Sequence, residues 1–343
     1  MKKIVKVPYP LNVSDEHRRM YLPRLTYTKP NVKVKYLKNV FVTSTGYCLN
    51  NKGLVKECHH NYSLQIHDYK NEAAKCYFNC VDNPENLIVL NDDKIYLLIH
   101  HPWFNYYHWI CETIFRLWMV RKKLDSLILI LPEHYMNADF IIGSLEPFKI
   151  RNFFFIPAGK HLLVKNLCLP QIKPQCDSYN RFQVQQIRRF YNRHSMLVVK
   201  APTKRIERLY VSRSLANRRR IINENEILPI VKRHDFEIFY PEKHSFIEQV
   251  AVFSNIRYLI GTHGSGLTNM LFMSSGTSLL ELHKDKTNEL NYPSPLFWYL
   301  AEALNIKYYH QLCDTHGRED YFYGDYIVDA RLFEINLMKM LAC

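Results

Sequence analysis

The pattern of apolar and polar positions changes character along the chain. Over the first 90 residues it is broken into short apolar runs such as NVFVTSTGY, separated by Tyr, Asn and Lys. That predicts short strands joined by turns. KIYLLIHH, from Lys94 to His101, is a fuller strand pattern. NYYHWICETIFRLWMVRKKL follows, with Trp109, Ile110, Ile114, Leu117, Trp118 and Val120 recurring at helical spacing. SLILILP is a continuous apolar run of the kind a parallel sheet buries on both faces. Phe140 to Phe148 predicts a short helix, RNFFFIP and VKNLCLP further strands, and Ser178 to about His194 a basic amphipathic helix.

Further along, the pattern becomes regular. RLYVSR, FEIFY, RYLIG and SLLEL are strand-like, with IINENEILPIVKRH and HSFIEQVAVFSN helix-like between them. Each helix opens on a capping-box pattern, Asn223 with Glu226 and Ser245 with Glu248. DARLFEINLMKMLAC predicts a terminal helix capped by Asp329. Strands alternating with helices in this way predict a parallel α/β sheet. The charged, proline-bearing stretch KAPTKRIE marks a boundary near residue 203. The expected division is therefore 1–202 and 203–343, two α/β domains, with the last helix able to pack back on the first.

Composition fits this division. A chain of 343 residues, 47% hydrophobic and 23% charged, can bury two ordinary cores and is not wholesale disordered. The net charge of +14 favours an anionic partner: nucleic acid, an anionic membrane surface or a phosphorylated ligand. Between Arg181 and Arg220 there are twelve Lys or Arg and one acid, Glu207. The nine cysteines contain no CxxC pair, which points to reduced thiols rather than structural zinc. The start MKKIVKVPYPLNV has no apolar h-region, and no apolar run approaches the roughly 20 residues of a membrane span. The expectation is a cytoplasmic protein, able to rest on the inner face of a membrane.

The stretch LIGTHGSGLTNM, Leu259 to Met270, carries the first chemistry. Gly261 ends a strand, and Gly264 and Gly266 leave backbone N–H groups uncovered where the next helix begins. Such a place suits an anion. A plain tight turn with His263 in the core is the alternative. A helix terminus contributes at most roughly 1–2 kcal/mol to an anion, so a diphosphate needs cations as well. Arg213 directly follows a strand, and Arg219 lies in the RRR run before the next helix. Charge-assisted hydrogen bonds contribute about 1.5–3 kcal/mol each, and arginine fits phosphate bidentately. A solvated basic face is the alternative for RRR. Glu281 ends a further strand, where a carboxylate could accept ribose hydroxyls or make a surface salt bridge. With the backbone of Gly264, Ser265, Gly266, Leu267 and Thr268, these residues describe a nucleotide-diphosphate pocket. No Walker motif and no GxGxxG occurs, so kinases, ATPases and NAD enzymes fit poorly.

Three of these stretches resemble glycosyltransferase family 61, which includes plant xylan arabinosyl- and xylosyltransferases and animal protein O-linked N-acetylglucosaminyltransferases. NYYHWICETIFRLW is similar to the family's NYYHW segment, with Phe115 where proline is usual. LYVSRSLANRRRIINENEI is similar to its Ser-Arg and Asn-Glu signature. GTHGSGLTNMLFMSSGTSLLEL is similar to its GxHGAGLTN signature, with Ser265 for alanine and Ser275 for proline. Together they span roughly Lys94 to Leu282. The resemblance implies a GT-B architecture, two Rossmann-like domains facing a central cleft. It implies inverting transfer from a nucleotide sugar, usually UDP-linked, with no essential metal and no other cofactor. The absence of a DxD motif agrees, and without metal the leaving diphosphate must be stabilised by arginines and helix N-termini.

The acceptor hydroxyl then needs a general base. His108 and Glu112 lie four apart on one helix face, as base and orienter, or Glu112 alone as base. A helix-start histidine paired to a glutamate for structure is the alternative. His263 is a second candidate, better suited to positioning the donor. The acceptor is expected to be a growing glycan, often lipid-linked. A nucleic-acid-binding protein would use the basic run instead, but no RRM, KH, zinc-finger or helix-turn-helix pattern is present. A nucleotide-sugar-binding module without turnover would keep Arg213 and Gly264 and gain nothing from Glu112.

Overall fold

The computed structural model describes residues 3–199, 206–285, 292–316 and 323–342. They form two compact units, Pro30–Cys176 and a second made of Met1–Lys29 with Asp177–Cys343. This differs from the expected division at residue 203, which itself lies outside the described residues. The basic helix Arg181–Val198 packs on Phe246–Asn255, Ser265–Phe272 and Leu296–Leu304, so it belongs with the later residues. The first 29 residues belong there too. Asn12 donates to the His310 carbonyl at 2.7 Å and the Trp298 indole donates to Pro8 O at 2.8 Å.

In the unit Pro30–Cys176 the strands lie in the order Gly53–Leu54, Cys48–Asn50, Val34–Val42, His161–Pro170, Tyr96–Leu98, Ile128–Pro132, Phe153–Ile156. Leu87–Leu90 pairs alongside His161–Pro170. The sheet is antiparallel on the Val34–Val42 side and parallel from His161–Pro170 to Phe153–Ile156. Val40, Val42, Leu98, Ile130, Leu162 and Val164 form its core. The helix Ile66–Asp82 was not foreseen. Its buried residues are only Tyr69, Ala73 and Cys80, too narrow a stripe to read from periodicity.

The second unit carries a six-stranded sheet in the order Glu237–Phe239, Arg208–Val211, Tyr258–Thr262, Ser278–Lys284, Lys307–His316, Asp325–Ile327. The first five strands are parallel, and the last is antiparallel. Numbered along the chain, the parallel strands run 2-1-3-4-5. In a doubly wound sheet of this order, the crevice lies between strands 1 and 3 at their carboxyl ends. Those ends are Val211 and Thr262. The capping box expected at Ser245 and Glu248 forms, and Asp329 caps the terminal helix by accepting from Leu332 N at 2.9 Å. Asn223 sits at the N-cap but its side chain makes no capping hydrogen bond to the helix backbone. Its side chain is tied to the backbone of Val328 instead. The terminal helix Ala330–Leu341 buries Phe333, Leu337 and Met340 in this unit's own core.

Candidate functional site

In the unit Pro30–Cys176, the strand Tyr96–Leu98 ends at a buried histidine pair, His100 and His101. Asn105 Oδ1 then accepts from His108 N at 3.0 Å and starts the helical run Tyr106–His108. The run continues as a π turn, Trp109–Thr113, and an α-helix, Ile114–Val120. Single π turns inside helices are frequent at functional sites, and this one carries Glu112. Arg116 fixes the geometry from below. It is 1% exposed and donates to the carbonyls of Pro170 at 2.7 Å, Ile99 at 2.5 Å and His100 at 2.9 Å. Gly46 closes the far side. Its φ is +100°, and a Cβ there would stand 2.6 Å from the His100 carbonyl oxygen.

Glu112 has no exposed side-chain surface, whereas His108 retains 15%. Three imidazoles surround the carboxylate. His60 Nε2 stands 2.8 Å from Oε1, His108 Nδ1 2.6 Å from Oε2 and His101 Nε2 3.2 Å from Oε2. The Lys173 ammonium is 3.8 Å from Oε1. Burial alone would raise the Glu112 carboxyl. The charges of His60 and His108, and hydrogen bonds from His101 and His108, overturn that and hold it well below the usual carboxylate range. Burial lowers His60 despite Glu112, and pushes His101 down to about 4. Glu112 is thus ionised, held chiefly by imidazole N–H donors. Trp103 stacks on His60 with centroids 4.4 Å apart and meets His108 edge-on at 4.9 Å, so both rings are wedged.

In the second unit, Arg213 and the glycine loop stand at the carboxyl ends of the two strands that flank the crevice. A Cβ at Gly264 would lie 2.8 Å from Arg213 Nη1, so a side chain there would push the guanidinium from its present place. Arg213 is oriented by its own loop, donating from Nε to Arg219 O and from Nη2 to Arg218 O, both at 3.1 Å. Burial lowers Arg213, and Arg219 lowers it further. Burial also lowers Arg219, which takes the left-handed φ of +58°. Two half-buried cations side by side make a place ready for an anion.

His263 and Glu281 were expected as separate contacts. They are one unit, His263 Nδ1 standing 2.5 Å from Glu281 Oε1. Tyr308 donates to Glu281 Oε2 at 2.7 Å. Glu281 is 0% exposed with both oxygens engaged, so its carboxylate does not present itself to ribose hydroxyls. Burial pushes it up to about 7, and pushes His263, with Arg219, Arg213 and Lys284 nearby, down to about 3. The residues after Gly264 form a 3-10 helix, Ser265–Phe272. In it Leu267 is 1% exposed and packs under Gly261, and Thr268 is 0% exposed. Their side chains serve the core, while Ser265 and Gly266 stay at the opening turn. His60, His101, Lys173, His283 and Tyr308 were not foreseen as site residues. Only His101, at the end of a readable strand, had a sequence signal.

Two groups gather ligand atoms within 4.8 Å of one another, His101 with His108 and Glu112, and His263 with Glu281 and His283. Metal-bound histidines donate their other ring N–H outward. His101 Nδ1 instead faces the Trp103 N–H at 3.4 Å, so its Nε2 carries the proton and points at Glu112. Around the second group, the cations that depress His263 also oppose a further positive ion. Among the described residues, no helix is long and apolar enough to cross a membrane, and the eight cysteines are free.

The family model of glycosyltransferase 61 matches residues 106–280, which takes in Glu112, Arg213 and the glycine loop. An "EGF domain-specific O-linked N-acetylglucosamine transferase" of Drosophila melanogaster is 27% identical over 141 residues, 36% of this chain and 26% of its own length. The chain thus spans about a quarter of that relative. The match carries from the Glu112 helix into the strand Ser278–Lys284, over half of the sequence, and the chain belongs to glycosyltransferase family 61.

Proposed function

We propose that this glycosyltransferase transfers a sugar with inversion, and without metal, from a UDP-linked donor to a hydroxyl of a glycan acceptor. In this reading the labour is divided in the GT-B manner, donor to the unit with Arg213 and acceptor to the unit with His108. Arg213, Arg219 and the backbone at Gly264–Gly266 take the diphosphate, which leaves as the charge on its bridging oxygen grows. His108 gives Nδ1–H to Glu112, which leaves the Nε2 lone pair for the acceptor proton. The acceptor oxygen then attacks the anomeric carbon as the bond to the diphosphate breaks. Glu112 orients the ring and is too deeply enclosed to meet the acceptor. A growing cell-surface glycan, carried on a lipid at an anionic membrane, suits the surplus of basic residues.

The observation that carries the reading is the Arg213 guanidinium lying against the bare backbone of Gly264 at the strand crossover. Calorimetry and thermal shift with UDP, GDP, CMP and their common sugars, with and without EDTA, test it. UDP-N-acetylglucosamine belongs in that panel because of the Drosophila relative's name. The expected result is saturable stabilisation by UDP, insensitive to EDTA and weakened about 10–100-fold by Arg213→Ala. Stabilisation by no nucleotide, or only with a divalent ion, would overturn it.

A further inference from the structure

The His263–Glu281 pair holds a detail that donor binding alone does not require. At 2.5 Å, Nδ1 and Oε1 must share a proton, because two lone pairs cannot face each other at that distance. The ring's other nitrogen, Nε2, has no hydrogen-bond partner among the described residues. His263 follows the strand end at Thr262 and directly precedes Gly264, against which the Arg213 guanidinium lies, so it borders the place where an anion would enter. A phosphate ester oxygen has no proton to give. It can bond Nε2 only when Nε2 carries one.

The pair therefore has two relevant states. With two protons, one bridges Nδ1 and Oε1 and the other sits on Nε2, which can donate. With one proton, the bridge keeps it and Nε2 is a bare lone pair that repels an anion. The count holds whichever atom owns the bridging proton, so the pair titrates as a unit. We propose that this enzyme takes its nucleotide-sugar diphosphate in the two-proton state, Glu281 acting as the positioning residue that makes His263 Nε2 a donor. The proposal rests on the donor reading above.

Every packed element around Glu281 bears on its proton. His263 arrives from the strand Tyr258–Thr262, and His283 stands 3.9 Å away on Glu281's own strand. Tyr308 holds the second oxygen from Lys307–His316, with Tyr21 and Tyr326 further out. The cations Arg213, Arg219 and Lys284 act on the pair through His263. His283 gives no proton to the carboxylate. Its Nδ1 lies 2.7 Å from the Lys284 carbonyl, which takes that nitrogen's proton and leaves Nε2 a buried lone pair. Burial pushes Glu281 up to about 7, into the range where a cell's pH decides between the two states. A bound diphosphate adds negative charge beside the pair and draws the proton in further.

The test uses the full chain, UDP-glucose and UDP-N-acetylglucosamine, whose bridged diphosphates do not titrate between pH 6 and 8.5. Calorimetry in two buffers of different ionisation enthalpy gives affinity and proton uptake together. The wild type should lose up to tenfold in affinity per pH unit above the pair's titration and take up nearly one proton on binding at pH 8.5. Glu281→Gln should bind with an affinity that does not change with pH and take up none, because its amide can donate permanently to Nδ1 while its oxygen still accepts from Tyr308. In the free protein, imidazole nitrogen NMR, assigned with His263→Gln, should show Nε2 losing its proton between pH 6 and 8.5. Binding that is flat with pH in the wild type, or equally steep in Glu281→Gln, overturns the proposal and leaves the donor reading intact. Binding of neither donor even at pH 6 overturns the donor reading, and this proposal with it.

Discussion

Glu112 and Glu281 are both shut away from solvent, each has histidine nitrogens against its oxygens, and the two hold their protons differently. Glu112 meets three imidazole nitrogens within 3.2 Å and an ammonium at 3.8 Å. Glu281 meets one imidazole and one tyrosine hydroxyl, and its second imidazole is turned away as a lone pair at 3.9 Å. Hydrogen bonds to a charged group contribute about 1.5–3 kcal/mol each. Each carboxylate has two such bonds, but Glu112 has in addition a third imidazole at 3.2 Å and an ammonium at 3.8 Å, and these offset more of the several kcal/mol of desolvating an anion. So the number of imidazoles and cations gathered around the carboxylate, not the residue type or the depth of burial, sets the charge. The ionised site is placed to orient a base. The one that titrates near 7 is placed to offer a proton.

The sharpest way to break this contrast is catalytic. Glu112→Gln removes the charge that orients His108 and sets an amide N–H against imidazole N–H donors. We expect kcat to fall by about 10²–10⁴, with affinity for the donor nucleotide unchanged. Circular dichroism would check that the variant is folded, and single-turnover kinetics with calorimetry would separate the two quantities. A variant with normal kcat would remove Glu112 from the mechanism and leave the histidine cluster a structural feature.

Next in size is stability. Removing one member of a buried ionic cluster costs about 3–5 kcal/mol, so Glu112→Gln should unfold at markedly lower urea. Glu281→Gln replaces a carboxyl that already holds a proton much of the time, and keeps both of its hydrogen bonds. Its cost should be below about 1 kcal/mol. Equal costs in the two variants would mean that the charge states do not differ.

The same contrast explains what could be read from the sequence. In the second unit, short strands alternate with 10-residue helices, and the placing of Arg213 and Gly264 at strand ends followed from the strand pattern and glycines alone. His108 and Glu112 were legible as an i, i+4 pair. The rest of their cluster was not. His60 arrives from a loop 52 residues upstream, and Lys173 from the far end of another strand. Nothing local marks such residues, because their placement follows from sheet order. Glu281 was legible as a strand-end carboxylate, but its partner Tyr308 comes from the neighbouring strand, and that contact turns it inward. The first unit's mixed sheet and its polar helix Ile66–Asp82 gave no strong period, so the boundary fell at a charged stretch instead of at Asp177.

The smallest expected effect is a slope. Glu281's folded-state value, about 7, lies above the ordinary 4.5, so the unfolded chain gives up this proton first. The stability it lends is full below 4.5 and is lost as pH rises through 7. Between pH 6 and pH 8 that loss is roughly 1 kcal/mol. His101 runs the other way. It is depressed to about 4 from 6.5, so its contribution is full above 6.5 and lost as pH falls through 4. Unfolding free energies from pH 4 to pH 8.5 should therefore show the acid limb of His101 in Glu281→Gln, and in the wild type the same limb offset by a decline that starts near pH 4.5 and levels off above 7. If the difference between the two proteins stays constant above pH 6, Glu281 is already ionised at neutrality. The two glutamates would then be alike, and the contrast between their sites would rest on geometry without charge.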